Sequence, residues 1–308
     1  MTSVRKHCLS LRLDLPTVDK RPRLYSISDA ATAAYSQEVD RLSQLEKLQV
    51  LGHGNGGTVY KVRDKQTLAV YALKIMHGNT ISPQELAILR QTSSSHVVHC
   101  HQIFENPSGE VQILMEYMDG GTLDTYRKSH GRLSEDVIAD ISRQVLKGFV
   151  YMCSKNIVHR DIKPSNLLIN EKMEVKIADF GVSKIMGHGL NRCSTSVGTC
   201  AYMSPERFDT ERYGDYDGYA ADVWGFGVTM MELYMGYYPF LSPGEKPDWP
   251  TLMLAICFGE PPSLPSCSSE KFKDFIKCCL QKDPNKRWTA SQLLLHPFVE
   301  ENSSTVVF

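Results

Sequence analysis

The chain has 308 residues, 42% of them hydrophobic, and 34 Lys and Arg against 35 Asp and Glu leave a net charge of −1. That balance excludes the broadly basic surface that nucleic acid requires and gives no general attraction to an anionic membrane. Nine cysteines without CxxC spacing or a matching His cluster suggest neither a zinc site nor a disulfide framework, so a reduced cytosol or nucleus is the compartment they fit.

No apolar run approaches the roughly 18–20 residues of a membrane span, and the N-terminus carries charges without an apolar h-region, so no secretory signal is expected. Residues 1–44 read as a tail too poor in apolar side chains to pack alone. Within it Arg5 and Lys6 precede an alternating Leu9-x-Leu11-x-Leu13. Such a run is either a featureless tail or a docking strand, its basic pair meeting an acidic patch and its leucines entering apolar pockets.

Order is expected from Leu45. Leu48–Leu51 reads as a strand, then come Gly52, Gly54 and Gly57 in a G-x-G-x-x-G spacing, then a β-branched run through Val59 to Val62. Glycines followed by strand rather than helix predict a flap over a triphosphate, not a dinucleotide turn. Val70–Met76 is an apolar strand with Lys74 inside it, and burying an ammonium there is costly without an anionic partner. Glu85 is one candidate partner. It also stands three residues after Ser82, with Pro83 between, which is the spacing of a capping box; both readings stay open. Val111–Tyr117 predicts a strand that Asp119-Gly120-Gly121 ends, suited to connecting two lobes. From Ser134, Val137, Ile138, Ile141, Val145, Leu146, Phe149 and Val150 recur at helical steps.

Next comes His159-Arg160-Asp161-Ile162-Lys163-Pro164-Ser165-Asn166, which gathers a carboxylate, two cations and an amide within eight residues, and after it Asp179-Phe180-Gly181. The segments 209–219 and 236–250 read as loops, and Cys278-Cys279 as thiols on a helix.

A Gly-rich loop, a strand lysine, H-R-D-x-K-x-x-N and D-F-G, in that order, resemble the protein kinase family over residues 45–300. The resemblance implies an α+β, two-lobed fold, with a mostly β N-lobe over 45–118, a mostly α C-lobe over 119–300, and a short tail at 301–308. It also implies ATP and Mg²⁺ as cofactors. Asp161 would accept or orient the substrate hydroxyl proton, Lys163 would neutralise the moving phosphoryl group, and Asn166 and Asp179 would hold metal. Lys74, paired with Glu85, would steady the phosphates. Leu51, Val59, Ala72 and Leu168 would enclose the adenine beside the glycines, with Met115 as gatekeeper and Glu116 and Met118 on the connector. Glu206 should pair with Arg287, Asp222 should tether the catalytic loop, and Arg160 should answer a phosphate on the activation loop.

Val197–Phe208 and Lys246–Leu252 are similar to plant MAP kinase kinases. That likeness implies dual-specificity phosphorylation of a MAP kinase docked on Arg5, Lys6, Leu9 and Leu11, and activation by an upstream MAP kinase kinase kinase. Two departures stand out. Counted back from Gly198-Thr199, one phosphoacceptor of the family's S/T-x5-S/T pattern falls on Thr195, with Ser194 and Ser196 adjacent, while the other falls on Gly189, which has no hydroxyl. Pro83 also starts the Glu85 helix late, which shortens it and weakens its hold on Lys74. These departures keep a second reading alongside the enzyme: a weakly active or inactive kinase-fold scaffold that docks MAP kinases.

Overall fold

The computed structural model describes residues 41–54, 57–76, 81–106, 109–186, 192–193, 198–209, 214–242 and 248–300. The elements below belong to the compact unit that spans residues 44–308. The docking residues Arg5, Lys6, Leu9 and Leu11, and the acceptors Ser194, Thr195 and Ser196 with Gly189, lie outside the described residues.

Five antiparallel strands come first: β1 Leu45–Gly54, β2 Gly57–Asp64, β3 Val70–Met76, β4 Cys100–Glu105 and β5 Val111–Glu116, in the order β1-β2-β3-β5-β4. The central β3 is buried without a break from Ala72 to Met76, so both its faces are covered and its sequence is a continuous run instead of an alternation. Helix α1, Pro83–Gln91, follows β3. Its Ser82 cap accepts the Glu85 N–H at 3.0 Å, and Ile88 and Leu89 bury its inner face.

The rest is mostly helical. After α2, Leu123–His130, the 20-residue α3 runs from Glu135 to Ser154, capped by Ser134 and buried along Ile138, Ile141, Val145, Leu146, Phe149 and Met152. Val150, expected on that face, is exposed. Short pairs then carry the catalytic segments: β6 Ile157–Val158 with β9 Lys184–Ile185, and β7 Leu167–Ile169 with β8 Val175–Ile177.

Segment 209–219 is not entirely loop. Strand β10, Arg192–Cys193, pairs with β11, Tyr216–Asp217, and a helix begins at Gly218. The cause is local. Asp217 accepts the N–H groups of Tyr219 and Ala220 at 2.8 and 3.2 Å, and a Cβ on Gly218 would stand 2.6 Å from Val158. A capping carboxylate and a glycine for close approach are weak signals inside a Gly/Tyr-rich stretch. Between β10 and β11 lies α4, Pro205–Phe208. The helix from Gly218, α5, extends to Met235 and is buried almost all round, the signature of a helix at the centre of its lobe. Segment 236–250 likewise yields to helix α6, Trp249–Met253, which Asp248 caps through the Thr251 N–H at 2.8 Å. Helices α7, Glu270–Cys279, α8, Ala290–Leu294, and α9, Pro297–Glu300, complete the lobe.

One ion pair ties α4 to this body. Arg287 grips the Glu206 carboxylate with two bonds of 2.8 and 3.1 Å, both side chains fully buried. Removing either partner from such a pair costs about 3–5 kcal/mol, because the other charge is stranded.

Candidate active site

Directly paired residues of antiparallel strands share a face. Val59 is opposite Lys74, and Ala72 is opposite both Lys61 and Met115, so Val59, Ala72, Lys74 and Met115 line one side of the sheet. Ala72 is buried, whereas Leu51 at the sheet's margin is exposed, and Leu168 is partly buried on β7. Gly57 is required by close approach, since a Cβ there would lie 2.4 Å from the Ile75 carbonyl. The connector begins at Glu116, whose carboxylate accepts the His99 N–H and pairs with Lys176, each at 2.6 Å. Its backbone N–H is engaged as well, donating to the His99 carbonyl at 3.0 Å. Met118 is buried, and its carbonyl accepts the Gly121 N–H at 3.2 Å.

Lys74 reaches two carboxylates, Glu85 and Asp179, at 3.2 Å each. Burial works against its cation, but Asp179 and Glu85 more than offset this and hold the ammonium above its ordinary pKa. The double reading of Glu85 resolves in one direction. Its backbone N–H takes the Ser82 cap while its carboxylate, 2% exposed as a residue, goes to Lys74. The late start at Pro83 leaves the pair closed.

Asp161 is held from several sides. Lys163 Nζ stands 2.8 Å from its Oδ2, the Thr199 N–H donates to Oδ1 at 2.8 Å, and Asn166 Nδ2 donates to its Oδ2 and its carbonyl at 2.9 and 2.8 Å. Lys163 also donates to the Thr199 hydroxyl at 2.5 Å. Burial alone would raise the Asp161 pKa; Lys163 and Thr199 outweigh it and hold the carboxyl below its ordinary range. Because Asn166 gives its amide hydrogens to Asp161, the amide oxygen is the atom it has left to offer. Asp179 sits in the left-handed region at φ 64°, with its side chain partly exposed. An amide oxygen and a carboxylate are the hard ligands that Mg²⁺ takes.

Beneath the loop, both oxygens of Asp222 accept backbone N–H groups, from His159 and Arg160, at 2.7 Å each. The Arg160 side chain is buried and its Nε donates to the Val182 carbonyl at 2.6 Å. Two participants, Gly198 and Thr199, enter the sequence reading only as the pair from which the phosphoacceptors are counted, not as site residues. Gly198 has φ 108°, and a Cβ there would lie 2.4 Å from the Arg160 carbonyl.

Among the described residues every cysteine is a free thiol. Asp274, Cys278 and His296 do converge, with ligand atoms within 4.8 Å of one another. His296 Nδ1 accepts the Phe298 N–H at 3.1 Å, which puts the ring proton on Nε2 facing Asp274. A metal would need the Nε2 lone pair instead.

Residues 45–299 match the protein kinase domain family. The chain is similar to mitogen-activated protein kinase kinase 9 of Arabidopsis thaliana, 54% identical over 96% of this chain and 97% of that protein. It is also similar to mitogen-activated protein kinase kinase 7 of the same plant, at 50% over 98% and 100%. Mitogen-activated protein kinase kinase 10 of that plant is 42% identical over 96% and 97%.

The depressed Asp161 pKa predicts a kinetic consequence for a carboxylate in the role of base, which must be ionised to take a proton. The acid limb that Asp161 contributes to single-turnover phosphoryl transfer should therefore lie below the ordinary carboxylate pKa of ~3.9. Lys163→Met removes the strongest offset to burial, so the acid limb of its pH–rate profile should move to higher pH. A limb at the same pH in both proteins would contradict this.

Proposed function

We propose, because the chain belongs to the protein kinase family and within it to the MAP kinase kinases, that it transfers the γ-phosphoryl group of ATP to a Thr and a Tyr in the activation loop of a MAP kinase. The arrangement around Asp161 carries the reading: an ionised carboxylate, a lysine at 2.8 Å and a backbone N–H at 2.8 Å surround the place where a hydroxyl would be presented.

In this reading the acceptor oxygen forms the new P–O bond as the bond to the β-phosphate oxygen breaks. The hydroxyl proton passes to Asp161 and ADP leaves. Lys163 balances charge on the moving group, and Lys74 holds the phosphates. Asn166 Oδ1 and the Asp179 carboxylate would hold Mg²⁺, which supplies charge neutralisation along the phosphate chain when bound. Water exclusion falls to the Gly-rich strands β1 and β2, and the adenine is enclosed by Val59, Ala72, Leu51 and Leu168.

Partners and control follow from the same reading. The basic residues Arg5 and Lys6 with Leu9 and Leu11 dock the MAP kinase, and an upstream MAP kinase kinase kinase phosphorylates Thr195, with Ser194 and Ser196 as neighbouring acceptors. The cytoplasm and nucleus are the compartments proposed. Among the described residues no helix is long and apolar enough to cross a membrane.

Purified wild-type chain and Asp161→Asn, each given ATP, Mg²⁺ and a kinase-dead MAP kinase, test the activity. Wild type should label both a Thr and a Tyr, and the variant should be slower by about 10²–10⁴-fold. Equal labelling would leave the docking scaffold as the function, and labelling of Thr alone would remove the dual specificity. Changing Leu9 and Leu11 together to Ala should weaken MAP kinase binding about tenfold in titration calorimetry without altering ATP turnover, whereas unchanged affinity would discard the tail as the dock.

A further inference from the structure

Arg160 is a non-glycine residue in the left-handed region, φ 68°, immediately before the catalytic carboxylate. Such a conformation costs on the order of 1–3 kcal/mol and persists only where its surroundings over-determine it. Asp222 fixes the N–H side of this residue. Its carbonyl is fixed by a different group: Arg207, on α4, donates Nη1 to the Arg160 oxygen at 3.0 Å. The peptide that this carbonyl begins ends in the Asp161 N–H, which is directed at His159 Nδ1 at 3.3 Å. Rotation of that peptide would swing the Cα–Cβ bond of Asp161 and with it the base.

Arg207 is itself held firmly. The residue is 3% exposed, and its guanidinium lies 5.6 Å from the centroid of the Tyr216 ring. It also abuts the activation segment, because Nη2 is 3.2 Å from where a Gly198 Cβ would stand. The atom that such a Cβ would strike hardest, at 2.4 Å, is the Arg160 carbonyl that Arg207 holds. Arg207 therefore meets three things at once: the peptide in front of the base, the glycine preceding Thr199, and the aromatic ring of β11.

We propose that Arg207 is a positioning residue for phosphoryl transfer. It sets the Arg160–Asp161 peptide so that the Asp161 carboxylate faces the acceptor hydroxyl, and it makes that setting depend on the seating of Gly198 and Thr199. A substrate-facing loop that is out of place withdraws the surface against which Arg207 is braced, and the base turns away. The proposal rests on the kinase reading above and adds a residue that touches neither nucleotide nor acceptor.

A double-mutant cycle with Arg207→Met and Asp161→Asn, read by single-turnover phosphorylation of a kinase-dead MAP kinase, tests it. A displacement of about 1 Å at a reacting group costs about 10²-fold, so Arg207→Met should lower the rate about 30- to 100-fold. The KM for ATP should stay within about twofold, as expected for loss of an interaction felt in the transition state. In the Asp161→Asn background the same change should cost less than about threefold, because the group it positions is already gone. Arg207→Lys, which keeps a buried cation and a donor, should recover part of the loss. An equal loss in both backgrounds would mean that Arg207 only supports the fold and would overturn the proposal, as would a rate within about twofold of wild type. Should Arg207→Met not fold, the same cycle on Arg207→Gln, too short to reach the Arg160 carbonyl, decides by the same two factors. A wild-type chain that transfers nothing removes the kinase reading and this one together.

Discussion

The catalytic loop depends on the carboxylate of Asp222. It stands on the most buried helix, α5, and gives one oxygen to each of two consecutive backbone N–H groups, those of His159 and Arg160, at 2.7 Å. Burial pushes its own pKa up, and His159, the two N–H donors and Arg207 pull the other way. With that grip in place the chain can turn through the left-handed Arg160 and present Asp161, and the remaining contacts are adjustments to a loop already anchored. The His159 ring reaches the Ala178 carbonyl at 2.9 Å, just before Asp179. The Ser183 hydroxyl returns to the His159 carbonyl at 3.1 Å. Through His159, α5 thus helps fix Asp179 relative to Asp161, while Asn166 is held by Asp161 itself.

The sheet contributes through a single lysine. Lys74 lies in a strand buried on both faces, where an unpaired ammonium is not tolerated, and its two carboxylates come from different parts of the chain: Glu85 from α1 and Asp179 from beyond the catalytic loop. The pair therefore links the sheet, the helix and the catalytic segment. Asp161 shows the same economy with opposite sign, since its charge is kept by Lys163 and by the Thr199 N–H of the substrate-facing loop. Displacing Thr199 would withdraw one of the donors that keep this carboxylate charged.

Much of this was legible in the sequence because costly residues stand in it without local excuse. A lysine within Val70–Met76, two carboxylates flanking Asn166, and glycines ahead of a β-branched run each call for a partner that a plain fold does not supply. The long helix at 135–154 was readable from its spacing, although Val150 fell on the wrong side. Contacts made across large separations were not readable. Glu85 had two sound local explanations, and only the three-dimensional placement of Lys74 decides between them. The two-residue pairing of β10 with β11 has no periodicity to detect, and the turn from Asp217 into α5 hides inside a stretch whose glycines and tyrosines resemble loop. Arg207, 47 positions from Arg160 in the chain, reads as an ordinary charged residue in the last turn of a short helix. Nothing in its neighbourhood signals that it is buried.

The central claim is that backbone geometry set by Asp222, and not only the presence of Asp161, makes the site competent. Asp222→Asn tests it most directly. The amide keeps the shape but has one acceptor oxygen, so one of the two N–H groups would face an NH₂ instead. Single-turnover phosphoryl transfer by the folded variant, at saturating ATP and substrate, should fall about 10²-fold, the cost of a base misplaced by about 1 Å. A folded variant that transfers within about twofold of wild type would show that the catalytic loop holds its form without this carboxylate.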